Sequence, residues 1–359
     1  MMRRKPPFQN LFQYAKQTCF PARARSFCAA LMNRRIVILA GMFVVIACAL
    51  VTVIIYSSAG PRVSGAMRQD AYVWQRAWTQ PVRDAVSAHA TNFSELVLLR
   101  GEITWNGSKP ELVRVGVDKS LLADLKRPVG LALRIGTYPG PFTTNDAAIQ
   151  FICDTAAGFI ADARTNGIVL AELQLDFDCA SSKLDGYRVW VETVQRRVAP
   201  VPVTITALPN WLKKPAFKML ASVATNYILQ VHSAERPKSF EAEYSLCEPQ
   251  AARRAVERAG KLGVPFRVAL PTYGYEMAFD PRGEFISLAA EGPRPDWPTN
   301  AMIREVDSNA GEISGLIRDW TANRPAAMRG VIWYRLPITT DKHNWDWRTL
   351  NAVMSGRDL

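Results

Sequence analysis

The residues best suited to chemistry in this 359-residue chain lie in one short run, Leu173–Asp178 (LQLDFD). Extended backbone sends alternate side chains to opposite faces, so Gln174, Asp176 and Asp178 share one face and Leu173, Leu175 and Phe177 the other. The apolar set suits packing against helices, which aims the carboxylates at a common axis or mouth. Two carboxyl groups held close raise one another's proton affinity, and acid and base roles become separated in this way. A structural reading competes: Asp176 paired with Arg134 or Arg100, and Asp178 capping a turn.

Other candidate groups fall at or just past the ends of short apolar runs: Glu102, Arg134, Gln230, His232, Tyr273, Glu276, Trp333, Tyr334 and Arg335. Carboxylates and arginines hydrogen-bond sugar hydroxyls, and flat rings suit pyranose faces, so a carbohydrate ligand is expected. Trp74, Trp78, Trp105, Trp211 and Tyr275 fall at similar places, with packing under loops as the plainer explanation for each. Asp178 is the expected proton donor, tuned by Asp176, with Glu276 or Glu102 as the second carboxylate. Arg134, His232, Tyr273 and Arg335 are expected to bind hydroxyls or an acidic sugar. A core role bonded to a backbone carbonyl is the alternative for His232. Cys179 and Cys247 fall in loops at the same rim and form a candidate disulfide.

Several classes fail on inspection. The chain has no phosphate-binding glycine loop ending in Lys-Ser or Lys-Thr, no GxGxxG and no Gly-x-Ser-x-Gly elbow. Three widely spaced histidines do not make a zinc site, so neither metal nor cofactor is expected.

The elements that must position these groups alternate between strand and helix, the rhythm of repeated βαβ units. Eight strands are predicted: Tyr72–Arg76, Leu96–Gly101, Val129–Gly136, Glu172–Asp178, Val203–Leu208, Tyr227–His232, Phe266–Leu270 and Gly330–Leu336. Asn145–Thr165 carries Ala148, Ile152, Ala156, Phe159 and Ala163 on one stripe, with Gly167 as a stop. A second helix opens at Pro249, and Tyr187–Val198 and Ile313–Thr321 look similar. Eight strands with helices between them predict a single (β/α)8 TIM-type barrel, whose active groups gather at the C-terminal strand ends. An open doubly wound sheet is the rival. Trp105–Asp118 is read as a small hairpin, and Phe279–Thr299 as a long loop of the kind that forms lids.

The first 56 residues read differently. Ile36–Tyr56 is a run of 21 residues without a charge, enough at about 1.5 Å per residue for a hydrocarbon core of roughly 30 Å. Arg34 and Arg35 precede it, which keeps the N-terminus cytoplasmic and predicts a single-pass inner-membrane anchor with a periplasmic domain. The expected division is a basic segment 1–35, an anchor 36–56, a linker 57–68 and a barrel 69–359. A cleaved signal peptide, a start at Met32 and a lipoprotein-like box at Cys48 are alternatives that also export the domain. Residues 1–35 hold eight basic and no acidic residues out of a net charge of +12, so the barrel itself is only weakly basic and nucleic acid is not an expected partner.

Across Tyr72–Trp347 the chain resembles a bacterial family of uncharacterised exported proteins, known only as a domain of unknown function. LQLDFDCASSKLDGY, TALPNWL, LQVHSAERP, PFRVALPTYGY and GVIWYRLP carry the resemblance. That family is similar to glycosidase-like barrels. Strand four itself resembles the chitinase-like enzymes, which place acidic residues at alternating positions there. Matching Asp176 and Asp178 to the last two Asp of that motif puts its catalytic Glu at Ala180. A shift of two puts Asp178 at the acid and Gln174 at an earlier Asp. Another large glycosidase group places its carboxylates after strands four and seven, which implies Glu276 as the partner of Asp178. The expectation is a membrane-anchored, periplasmic, glycoside hydrolase-like barrel acting on an envelope or extracellular polysaccharide. The alternatives are a non-catalytic barrel that binds such a polysaccharide or an envelope protein partner, and a structural barrel whose rim charges pair with one another.

Overall fold

Each of the eight runs read as strands overlaps a strand, although the first one ends at Val73 and leaves residues 74–76 of the predicted run beyond it. The computed structural model describes residues 60–107, 109–233, 236–291 and 294–357. Barrel strands one to eight are Arg68–Val73, Leu96–Asn106, Val129–Ile135, Leu170–Phe177, Val203–Ala207, Asn226–Gln230, Phe266–Pro271 and Met328–Tyr334. Consecutive strands pair in parallel, and Ala71 of strand one faces both Leu96 of strand two and Trp333 of strand eight. That double pairing closes the ring and decides against the open sheet.

A helix follows every strand: Gln80–His89, Lys119–Asp124, Ala147–Thr165, Leu184–Val198, Pro215–Val223, Pro249–Gly260, Ala310–Ala322 and Trp347–Met354. Their starts are fixed by side chains that accept otherwise unbonded backbone N–H groups: Asp146 accepts from Ile149 N at 2.8 Å, and Asp346 from Thr349 N at 2.7 Å. The stripe predicted on Ala147–Thr165 is buried throughout, and Gly167 follows it with a φ of +70° that suits glycine. On strand four Leu173, Leu175 and Phe177 are buried outward, with Phe177 packing edge-on against Tyr187 at 5.0 Å. Burying side chains of that size contributes roughly 1.5–3 kcal/mol each, which locks the parity of the strand.

Two departures have physical reasons. Strand one begins at Arg68 rather than Tyr72, because the charged Asp70 is buried in the barrel interior, paired with arginines, instead of marking a loop. Arg68 and Arg267 both donate to the fully buried Asp70, at 2.9 and 2.7 Å. The segment after strand seven is no simple loop: Gly274–Phe279, Phe285–Ala289 and Met302–Asp307 form a three-stranded antiparallel sheet. The hairpin expected after strand two is present, Lys109–Arg114 pairing antiparallel with the end of that strand.

The barrel interior is layered. At its lower end Arg267 also pairs with Glu172, which accepts from Thr204 at 2.6 Å; Arg68 reaches Glu95. Above them Tyr72, Val97, Ala132, Ile228, Ala269 and Ile332 make an apolar layer, and Trp74 and Tyr334 rest on it. Tyr72 spans the boundary, its hydroxyl donating to Gln174 Oε1 at 2.6 Å. Among the described residues no helix is long and apolar enough to cross a membrane. The expected anchor 36–56 and the basic segment 1–35 lie outside the described residues.

Candidate active-site cleft

A cavity of about 180 Å³ opens at the C-terminal mouth of the barrel. Strand one supplies Tyr72 and Trp74, strand three Arg134, strand four Asp176 and Asp178, and strand five Thr206. Gln230, His232 and Ser233 come from strand six and its end, Ala269, Tyr273 and Tyr275 from strand seven and its extension, and Tyr334 from strand eight. All but strand two contribute, because each inward row of a closed barrel ends at this mouth.

The acid side of the cleft belongs to strand four. Asp176 ends the inward row Glu172–Gln174–Asp176 and accepts a hydrogen bond from Thr206 Oγ1 at 2.8 Å. Burial pushes its proton affinity up. Arg134 and the Thr206 bond oppose that rise, and the nearby charges of Asp178 and Glu102 add to it. Asp178 lies just past the strand, its side chain 58% exposed, with Arg134 Nη2 at 3.2 Å.

The facing side is a cluster of hydroxyls. Tyr273 OH sits 2.6 Å from Ser233 Oγ and 2.9 Å from His232 Nδ1, and accepts from Tyr275 OH at 3.1 Å. Burial lowers the His232 imidazole to about 3, so the ring is neutral and one of its nitrogens can accept. Ser233 takes a positive φ of +50°, an uncommon conformation for a residue with a side chain and one that concentrates at functional sites. Aromatic edges make the floor: Trp74, Tyr72 and Tyr334 meet with centroids 5.1 to 5.7 Å apart, and Tyr334 stacks on His232 at 5.6 Å.

Of the residues predicted from sequence, Asp176, Asp178, Arg134, Gln230, His232, Tyr273 and Tyr334 meet in this cleft. Glu276 does not. It lies on the first strand of the inserted sheet and forms an ion pair with Arg294, whose guanidinium holds the carboxyl below its ordinary range. Adjacent Tyr275 takes the cleft-facing parity instead. Gln174 is buried beneath the floor, donating to Glu172. Trp333 faces outward with Nε1 on Gln69 Oε1 at 3.0 Å, since its neighbour Tyr334 occupies the inward parity. Arg335 pairs with Asp341 at 2.5 Å, and Glu102 pairs with Arg76 at 2.9 Å, near the acid side but outside the lining. The Cys179–Cys247 disulfide is absent: both thiols are free and buried, as is Cys153, and Cys179 Sγ faces Ala180 O at 3.4 Å. Among the described residues no group of three or more His, Cys, Asp and Glu could hold a metal ion.

Tyr72 and Ser233 lie in the cleft without having been singled out. Tyr72 was legible, because the inward row of strand one puts it two residues below Trp74. Nothing in the sequence marks the left-handed turn at Ser233.

The closed ring of eight parallel strands defines a TIM-type barrel, and several solved chitinases are similar to it in fold. A spore cortex-lytic enzyme (SleL) of Bacillus megaterium is 12% identical with a TM-score of 0.55, over 83% of this chain and 75% of that one. A chitinase of Bacteroides thetaiotaomicron is 12% identical with a TM-score of 0.56, over 81% and 96%. A chitinase of Chromobacterium violaceum is 15% identical with a TM-score of 0.52, over 81% and 99%. At these identities the likeness is one of fold. No curated protein matches the chain. The chain belongs to the family defined by a domain of unknown function, DUF3142, whose family model matches residues 126–339.

Proposed function

We propose that this barrel is a glycoside hydrolase-like enzyme acting on an envelope or extracellular polysaccharide, with Asp178 as proton donor and Asp176 as its proton reservoir. One observation carries the reading: two strand-four carboxylates, one with raised proton affinity, close the acid side of an aromatic-floored cleft at the catalytic end of the barrel. Chitinases and a cortex-lytic enzyme sharing the fold support a glycan as ligand.

The placement of the carboxylates bears on mechanism. Ordinary retaining and inverting glycosidases flank the scissile bond with two carboxyl groups, roughly 5–5.5 or 6.5–9.5 Å apart. Here the carboxylates lining the cleft both come from strand four, two residues apart, so they address one side of a bound sugar. That favours a substrate that brings its own nucleophile, as the 2-acetamido sugars of substrate-assisted families do. Neutral His232, the hydroxyls of Ser233, Tyr273 and Tyr275, and Gln230 would orient the ring, and Trp74 and Tyr334 would carry its apolar face. The apolar run 36–56 would anchor the protein in a bacterial inner membrane with the barrel, 69–359, in the periplasm.

A non-catalytic glycan-binding barrel is the second reading, favoured by the exposure of Asp178 and its bond to Arg134. Turnover and binding by the full chain, wild type beside Asp178→Asn and Asp176→Asn, against acetamido-sugar polymers and other envelope glycans separate the two. The enzyme reading expects cleavage with net retention, lost by at least a hundredfold on Asp178→Asn with the fold intact. Binding by all three proteins with no cleavage by any would leave the binding barrel.

A further inference from the structure

The cleft alone is small: about 180 Å³, against the ~300–1,000 Å³ of ordinary ligand pockets. Across the strand-six rim lies a larger groove of about 950 Å³, between the loop that leaves strand six and the helix Pro249–Gly260. The two hollows share a wall. Gln230, His232 and Ser233 line the cleft while Val231 lines the groove, and Ser233 N donates to Leu246 O at 2.8 Å to close the loop between them. Tyr244 lines the groove, and its hydroxyl is hydrogen-bonded to Ser233 of the cleft. The two hollows therefore lie on either side of one short segment, Gln230–Ser233.

The chemistry of the two hollows differs. Among the described residues the cleft presents five aromatic rings besides His232, whereas the groove has one ring, Tyr244, and three cations, Arg236, Lys238 and Arg254. Glu243 and Glu248 oppose them, but Glu248 is already committed. Its oxygens accept from Gln250 N and Ala251 N at 2.7 and 2.5 Å, capping the helix, and it lies 3.4 Å from Arg254. Arg236 and Lys238 are exposed and make no ion pair with another described residue. Cations such as Arg236 and Lys238, without an ion-pair partner among the described residues and beside few rings, suit charged substituents better than bare sugar faces.

We propose that the substrate is an acidic glycan, whose reacting sugar enters the cleft while its flanking anionic sugars lie in this groove on Arg236, Lys238 and Arg254. The assignment rests on the glycan reading of the cleft, and it makes the groove a determinant of substrate charge.

Calorimetric binding of the purified full chain to two oligosaccharides of equal length tests it: hyaluronan, which alternates an acetamido sugar with a uronate, and the neutral polymer of N-acetylglucosamine. Wild type is expected to bind hyaluronan roughly fivefold more tightly at low salt, with the preference fading as salt rises. The double variant R236E/K238E, altered only at exposed positions, is expected to lose the preference and keep its affinity for the neutral sugar. Equal affinity of wild type for both, or a preference that survives the double variant, overturns the acidic-glycan assignment and leaves the cleft reading standing. A variant that loses both ligands alike also overturns it, since the groove would then not sort by charge. Failure of wild type to bind either oligosaccharide removes the glycan reading of the cleft and this assignment with it. A preference for a polyglutamate peptide over hyaluronan would reassign the groove to an acidic protein segment.

Discussion

The two ends of the barrel interior are built from the same residue types and behave oppositely. Both set arginine against carboxylates, and strand four supplies a carboxylate to each: Glu172 below, Asp176 above. Below, Arg267 is 4% exposed and pairs with Asp70 and Glu172, which is further bonded by Thr204 and Gln174. Above, Arg134 makes one bond, at 3.2 Å, to a carboxylate that is mostly in solvent. Partner number, rather than residue type, separates a charge that holds the fold from one free to meet a ligand.

The comparison predicts a wide gap in stability effects. Arg267→Met leaves Glu172 buried without a cation and Asp70 with Arg68 alone, and should cost about 3–5 kcal/mol in denaturant unfolding. A loss under about 1 kcal/mol would mean that water or Arg68 compensates and that the lower network does not hold the fold.

A smaller effect should depend on pH. Burial and the neighbouring Glu172 charge raise Glu95 from 4.5 to about 8, so the folded chain keeps a proton that the unfolded chain releases above pH 4.5. Stability from this group therefore falls as pH rises through that window and is flat above it. Glu95→Gln removes the loss: equal stability near pH 4.5 and an advantage of a few kcal/mol near pH 9 are expected. Parallel curves for the two proteins would place the proton elsewhere.

The smallest effect belongs above. Arg134→Gln should change unfolding free energy by about 0.2–1 kcal/mol, as expected for a solvent-screened pair. It should nevertheless weaken ligand binding in the cleft, and a large stability loss without a binding change would erase the distinction between the two ends.

Alternation explains what the sequence made legible. Strand four was readable as LQLDFD because its outward residues are apolar and its inward ones polar, and the same parity placed Asp176 on the interior row. Strand one hid its start, since an Arg68–Asp70 pair looks like a solvated turn until its partners 27 and 197 residues away are known and Asp70 is seen to be buried. Trp333 and Tyr334 are adjacent and could not both face inward, so parity alone could have removed Trp333. Glu276 went astray for another reason. Strand seven continues into an antiparallel sheet, and no local pattern tells where the parallel strand ends. The free thiols show that loops at one rim need not bring their cysteines within bonding reach.

The closure of the ring sets a condition on how the chain acquires its shape. Gly330 lies opposite Arg68, so the first strand to be synthesised waits for the last before its outer edge is paired. Until then the nascent domain is an open ribbon with two bare hydrogen-bonding margins, strand one and strand seven, able to recruit any passing extended peptide. Closure joins residues almost a whole domain apart, which makes it the entropically slow event of folding. A chain interrupted before Met328 would lose far more than one strand, because it would present both margins at once and never seal.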